Sequence, residues 1–183
     1  MEIILASQSP RRRELMGLIG MPFTVRVADV DETLAACPPE EAVALLSRKK
    51  AEAARETLEE IVIGADTVVV LDGKILGKPT DATDAFRMLR FLSGRRHQVM
   101  TGLTVLLGGR CISVTEVTEV SFRTLTDGEI LSYIASGDPM DKAGSYGIQS
   151  GGALFVDGIH GDYYNVVGLP VCRLGQILKE IME

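Results

Sequence analysis

The sequence predicts an α/β fold, and three observations carry that reading. Short apolar runs alternate along the chain with segments of helical periodicity. Cap and turn residues stand at the joints between them. The chain has 183 residues and is 46% hydrophobic, enough to bury a full core. No internal repeat, linker or shift in composition divides it, so one domain over residues 1–183 is expected.

The elements follow in order. Ile3–Ala6 reads as a strand. Ser9 caps a helix with Pro10 at its first position, running to about Leu18 with Gly20 beyond its end. Phe23–Val27 reads as a second strand. Glu40 to about Leu58 is a long amphipathic helix, because Ala42, Leu45, Leu46 and Ala53 have helical spacing. Ile61–Gly64 and Thr67–Leu71 are strand-like runs separated by Ala65 and Asp66, and Asp72-Gly73 is a hairpin signal leading into Lys74–Leu76. Asp81 begins a helix with Ala85, Met88, Leu89 and Leu92 on one face and Gly94 as its stop. His97–Leu107 and Arg110–Phe122 form a long hairpin across Gly108-Gly109. Thr126-Asp127-Gly128-Glu129 is a capping-box pattern before a helix at Ile130–Ala135. Asp138–Gly152 is glycine-rich and reads as a loop. Leu154–Asp157 is a strand, and Pro170–Met182 a terminal helix.

Composition excludes several classes. The net charge of −6 disfavours non-specific binding to nucleic acid or an anionic membrane. An anionic ligand must therefore meet locally placed cations or a metal. Cys37, Cys111 and Cys172 are odd in number, far apart and show no CxxC spacing. Reduced structural thiols are expected rather than disulfides or a zinc site. The first residues lack the basic and long apolar regions of a signal peptide, and no apolar stretch approaches the ~18 residues of a membrane span. A soluble, cytoplasmic protein is expected. His97 and His160 form no HExxH pair. The absence of GxSxG argues against Ser-His-Asp hydrolysis, and the absence of GxGxxG against a dinucleotide enzyme.

Four segments carry candidate chemistry. Ser7-Gln8-Ser9-Pro10-Arg11-Arg12-Arg13 lies between a strand and a helix start. Cations there oppose the helix dipole by ~0.3–1 kcal/mol each, unless a bound anion reverses the sign. Arg11 and Arg12 are read as phosphate contacts and Arg13 as a solvated side chain. Asp66, in Gly64-Ala65-Asp66-Thr67, sits between apolar runs, at a strand end where α/β proteins place ligands. Its carboxylate fits two readings: a metal ligand or proton acceptor, and a turn aspartate capping local N–H groups. Gly73-Lys74-Ile75-Leu76-Gly77-Lys78-Pro79 fails as a Walker A loop, because its glycine spacing is one short and Pro79 replaces the Ser/Thr. Lys78 is equally a phosphate contact and a solvated loop lysine. In Asp141–Gln149, Gln149 offers a donor and an acceptor suited to a pyrimidine edge, and Tyr146 is either a base-stacking or a buried ring. Asp29, Asp31 and Glu32 are further metal-ligand candidates or a solvated acidic loop.

In this order the segments resemble the Maf family, also called septum formation inhibitors. The matching stretches are Leu5–Arg12, Gly64–Thr67, Gly77–Pro79, Asp141–Gln149 and Val166–Pro170, so the similarity runs over nearly the whole chain. The resemblance implies the fold of inosine triphosphate pyrophosphatases: a long mixed twisted sheet with flanking helices and two lobes around a central cleft. It implies hydrolysis of a nucleoside triphosphate to monophosphate and pyrophosphate with a divalent cation, Mg2+ or Mn2+. Asp66 matches the family's general base. Ser7, Arg11, Arg12, Glu32, Lys50 and Lys78 match its polar cleft residues. The catalytic set is then Asp66, Glu32, Lys50 and Lys78, with Asp66 and Glu32 as metal ligands whose roles are exchangeable. Substrate contacts are Ser7, Arg11, Arg12, Thr67 and Gln149. The dTTP/UTP branch has Arg, Thr and Gln where this chain has Arg11, Thr67 and Gln149, whereas the 7-methyl-GTP branch has an aromatic residue, Gln and Glu. The pyrimidine branch is thus expected. Two alternatives remain at this level: a nucleotide-binding regulator of cell division with little turnover, and a pyrophosphatase for methylated purines. A nucleotide is the expected partner, with no nucleic acid and no membrane. A homodimer is a further expectation that no surface feature of the sequence marks.

Overall fold

The protein is described from a computed structural model covering residues 1–33 and 36–183. Strand β1 (Ile3–Ala6) is buried along its whole length, as a run of apolar residues requires. It pairs in parallel with β2 (Thr24–Val25) on one side and β3 (Ile61–Leu71) on the other, where Ala6 stands opposite Gly64. The seven-stranded sheet has the order β2-β1-β3-β5-β6-β7, with β4 (Lys74–Leu76) pairing antiparallel to β3. β5 is Arg96–Leu107, β6 is Arg110–Phe122, and β7 (Val156–His160) closes the far edge antiparallel to β6. Parallel and antiparallel pairings together make the sheet mixed, as the resemblance implied.

Helices alternate with these strands. They are α1 (Pro10–Gly17), α2 (Pro39–Ala54), α3 (Ala82–Leu92), α4 (Asp127–Ala135), a short α5 (Tyr163–Val167) and α6 (Val171–Met182). The predicted caps are in place: Ser9 Oγ accepts from Arg12 N, Asp81 from Asp84 N, and Thr126 and Glu129 form the capping box. No helix among the described residues is long and apolar enough to cross a membrane.

Several boundaries differ from the sequence reading, each for a physical reason. Ile61–Gly64 and Thr67–Leu71 are one continuous strand, so Asp66 lies within β3 rather than at a strand end. The strand is held on either side of Asp66, by β1 up to Gly64 and by β4 from Val69, which outweighs the local turn signal. The second helix stops at Ala54 because Arg55 is extended. Phe23–Val27 shrinks to Thr24–Val25. Asp138–Gly152 is wound into 3-10 turns at Asp138–Asp141, Ala143–Ser145 and Gly151–Leu154, so the last strand begins two residues later than Leu154. The cysteines are free, but Cys111 and Cys172 are exposed, so they are not packing residues.

The chain divides into two compact units: Met1–Thr67 with Thr101–Glu116 and Tyr164–Glu183, and Val68–Met100 with Val117–Tyr163. In the first, α2 lies directly against the sheet at two glycines. A Cβ on Gly64 would stand 2.2 Å from the Ser47 carbonyl oxygen, and one on Gly102 would stand 2.1 Å from the Val43 carbonyl oxygen. Ser47 Oγ meets Thr104 Oγ1 at 2.8 Å across the same contact. Ile4, Ala6, Ala51, Ala54, Val62 and Leu106 form the apolar cluster beside it. Arg26, just after β2, holds Glu60 in a fork, with Nη1 to Oε2 at 3.0 Å and Nη2 to Oε1 at 2.9 Å. The Glu56 and Thr57 amides donate to the same carboxylate.

In the second unit, α3 packs on α4 and buries Ala85, Met88, Leu89 and Leu92. An aromatic cluster of His97, Phe122, Tyr146, Phe155 and Tyr133 fills its centre with edge-to-face contacts. Burial pushes the His97 imidazole down to about 4, so the ring is neutral at physiological pH.

The close approach of α2 predicts that Gly102→Ala loses about 1–3 kcal/mol or more in urea unfolding, the cost of overpacking. Gly175→Ala in α6, where a Cβ meets nothing within 4 Å, is expected to gain about 1 kcal/mol or slightly less from helix propensity. The Arg26 fork and two amides lower Glu60 from its ordinary 4.5 to about 2. A depressed carboxyl contributes stability that is complete above its unfolded pKa and is lost as pH falls through the folded one. Glu60→Gln should therefore weaken the fold at neutral pH and flatten the loss of stability between pH 4.5 and 2, read by thermal melts across that range.

Candidate active site

All but two of the predicted site residues belong to the first unit. β1 ends at Ala6, and the chain turns into α1 through Ser7, Gln8 and Ser9. The buried Ser7 Oγ accepts from the Ser9 amide (3.2 Å) and from Arg12 Nη1 (3.3 Å). In the first turn of α1, Arg12 reaches Thr67 inside β3 and Gly168 before α6. Its Nε donates to the Gly168 carbonyl at 2.7 Å and its Nη2 to Thr67 Oγ1 at 2.9 Å. Burial lowers the Arg12 pKa below the ordinary arginine value, opposed by the charge of Asp66 and assisted by that of Arg11. The guanidinium nevertheless stays charged at neutral pH, since arginine is not deprotonated in proteins. Arg12 is thus a clasp between the β1–α1 turn, β3 and the segment before α6. It keeps one N–H on each Nη for a ligand. Arg11 is half-buried beside it, and Arg13 is exposed, as expected.

The hydrogen-bond direction beyond Arg12 is determined by chemistry. Thr67 Oγ1 lies 2.9 Å from Thr101 Oγ1, and Thr101 Oγ1 donates to the Asn165 carbonyl at 3.3 Å. A guanidinium only donates and a carbonyl only accepts. Both hydroxyl hydrogens must therefore point the same way, from Arg12 through Thr67 and Thr101 to Asn165. Thr67 then faces a ligand with a lone pair and not with its hydrogen. Thr101, Asn165 and Gly168 were not singled out from the sequence. Thr101, set among Val99, Met100 and Leu103 and followed by Gly102, is the signal that was available.

On the other side of Asp66 stands Lys50, carried by α2. Its Nζ lies 2.9 Å from Asp66 Oδ1 and 2.9 Å from Glu32 Oε1, with only 14% of the Lys50 and Asp66 side chains exposed. Two carboxylates therefore converge on one ammonium. Asp66 neighbours Thr67, so the Arg12 clasp and the Lys50 bridge meet at adjacent positions of β3. The position of Asp66 inside β3 removes the turn-cap reading, and its carboxylate meets a side chain from another element instead. Among the described residues no group of three or more His, Cys, Asp or Glu side chains is placed to hold a metal. A two-carboxylate site nevertheless suits Mg2+, which is commonly held by one or two carboxylates, waters and substrate phosphates. Hard oxygen donors at Asp66 and Glu32 fit that chemistry.

Lys78 and Gln149 belong to the second unit. Both are exposed and neither has a side-chain partner among the described residues. Their loops are joined, since Gly144 N donates to the Gly77 carbonyl at 3.1 Å. Tyr146 is buried: its hydroxyl lies 2.7 Å from His97 Nε2 and its ring packs on Phe122, so it is not a base-stacking ring.

The chain is similar to known proteins along nearly its whole length. The Maf-like protein family matches residues 2–181. A Bacillus cytotoxicus protein named dTTP/UTP pyrophosphatase is 52% identical over 181 residues, covering 98% of this chain and 95% of its own length. Proteins of the same name from Bacillus cereus and Bacillus anthracis are 49% identical over the same shares of both chains. Among solved structures, the Staphylococcus aureus Ham1 protein superposes with a TM-score of 0.57 at 16% identity, covering 98% of this chain and 99% of its own. A HAM1 protein from Coxiella burnetii gives 0.50 at 14% identity over the same shares. Those two likenesses speak for the fold alone. With a family match spanning residues 2–181 and relatives about half identical throughout, the chain belongs to the Maf family.

Proposed function

We propose that this protein is a nucleoside triphosphate pyrophosphatase that hydrolyses dTTP and UTP to the monophosphate and pyrophosphate. The observation that carries the reading is the pair of carboxylates, Asp66 and Glu32, converging on Lys50 beside the Arg12 clasp. The names of relatives 49–52% identical to this chain support the pyrimidine substrates.

The proposed reaction is in-line attack of water on the α-phosphorus with pyrophosphate leaving. The triphosphate is strongly anionic, so a preorganised set of cations lowers the barrier by meeting charge where it develops. Arg11, Arg12 and Lys50 are that set. Ser7 Oγ receives two N–H groups and so keeps its own hydrogen for a phosphate oxygen. A phosphate competes with the carboxylates for Lys50 and frees Asp66 to hold and deprotonate the attacking water, while Glu32 is the second acid, and the two roles are exchangeable. Asp66 and Glu32 would hold a divalent cation, Mg2+ or Mn2+, which supplies Lewis-acid neutralisation of phosphate charge when bound. Lys78 is proposed as a further phosphate contact and Gln149 as the contact to the base edge. A cytoplasmic location and a homodimer belong to the same reading.

Asp66→Asn keeps size and loses the base. It should lower kcat for pyrophosphate release from dTTP by about 10²–10⁴-fold, the range for general acid–base catalysis. A rate equal to that of the unaltered protein removes Asp66 from the mechanism. Repeated turnover by the unaltered protein distinguishes the enzyme from a nucleotide-binding regulator. Thr101→Val cuts the hydroxyl chain behind Arg12 and is expected to lower kcat/KM about 2- to 10-fold, the worth of one hydrogen bond. Thr101→Ser should restore it, and equal kinetics for the Val and Ser variants would refute the directed chain.

A further inference from the structure

Gln149 is exposed, yet the backbone on either side of it is tied down by side-chain hydrogen bonds. Residue 138 is the reason. The Asp138 carboxylate accepts from three side chains. Tyr133 Oη and Ser150 Oγ both donate to Oδ2 at 2.5 Å, and Lys142 Nζ donates to Oδ1 at 3.0 Å. Lys142 also donates to the Asp138 carbonyl (2.7 Å) and to Asp141 Oδ1 (2.8 Å). Tyr133 Oη in turn accepts from the Gly147 amide at 3.0 Å. The tether thus reaches Gly147 and Ser150, the residues that bracket Ile148 and Gln149.

The rest of the segment is wound to match. A Cβ on Gly147 would lie 2.6 Å from Ser150 Oγ, and one on Gly151 would lie 2.7 Å from the Tyr133 ring. Ser145 is fully buried with φ 64°, a left-handed conformation that costs a serine strain. It persists because its neighbours over-determine it, through Gly144 N to Gly77 O and Tyr146 Oη to His97. None of these groups carries out the proposed hydrolysis, and the network closes on the residues that flank Gln149.

We propose that Asp138 is a positioning residue for substrate selectivity: its carboxylate, acting through Tyr133, Lys142 and Ser150, holds Gln149 in place to read the pyrimidine edge. This rests on the assignment of Gln149 as the base contact. Preorganisation of that amide removes an ordering cost from binding, so its loss appears in KM and in base preference rather than in kcat.

The test is a double-mutant cycle in the full chain, with steady-state kinetics on dTTP, UTP and a purine triphosphate and a thermal melt for each variant. Gln149→Ala is expected to raise KM for dTTP and UTP about tenfold with kcat within about twofold. Asp138→Asn should do the same, and in the Gln149→Ala background it should add nothing. Ser150→Ala, an exposed change that removes one tether, should move KM in the same direction by less, and it carries the test if Asp138→Asn fails to fold. If Gln149→Ala leaves KM unchanged, the base-contact assignment fails and the inference with it. If Gln149→Ala raises KM while Asp138→Asn and Ser150→Ala do not, or if their effects multiply with it, the positioning role alone is overturned.

Discussion

The site depends on how closely helix α2 approaches the sheet. Gly64 and Gly102 have no side chains, and the helix backbone occupies the space where a Cβ would stand. This brings Lys50 from α2 within 2.9 Å of Asp66 on β3. With ordinary side chains at both glycines, helix and sheet would separate, and an ammonium on a flexible stem would no longer be confined between two acids. Ser47 and Thr104 satisfy each other inside the same contact, so the tight packing leaves those hydroxyls paired.

A second constraint is the direction of hydrogen bonding away from Arg12. Arginine is the residue suited to this place, because a planar fork can engage Gly168, Ser7 and Thr67 together and still keep donors unspent. A lysine could supply the charge but not the three-way clasp. The chain through Thr67 and Thr101 then orients two hydroxyls before any ligand arrives, so little reorganisation remains for the moment of reaction. The first unit is accordingly rich in paired charges and directed hydrogen bonds around Asp66. The second presents Lys78 and Gln149 at exposed positions on tightly held loops.

Much of the architecture was legible in the sequence because it is encoded locally. Helical spacing marked α2 and α3, and the residues Ser9, Asp81 and Thr126 marked helix starts by chemistry confined to one turn. Where signals were short-range but the outcome depended on neighbours, the reading failed. Gly64-Ala65-Asp66 looks like a break between two strands in isolation, yet it runs straight through β3, which pairs with β1 before it and with β4 after it. Val156–His160 shows no apolar alternation, since β7 is an edge strand with mostly exposed residues. The 3-10 turns after α4 were hidden because side chains, above all Asp138, hold them rather than periodicity.

For the site, residue types and their order along the chain were enough to single out Arg11, Arg12 and Asp66 as candidates and to point to an anionic ligand, while Ser7 and Thr67 entered only through the family resemblance. Charge and motif chemistry are written in the residues themselves. Tertiary structure alone decided which acid meets which cation, that Tyr146 is buried against His97, and that Thr67 offers a lone pair rather than a hydrogen. The partners Thr101, Asn165 and Gly168 lie far from Arg12 along the chain. A hydrogen bond acts over about 3 Å of space whatever the sequence separation, so only the folded chain could bring them into view.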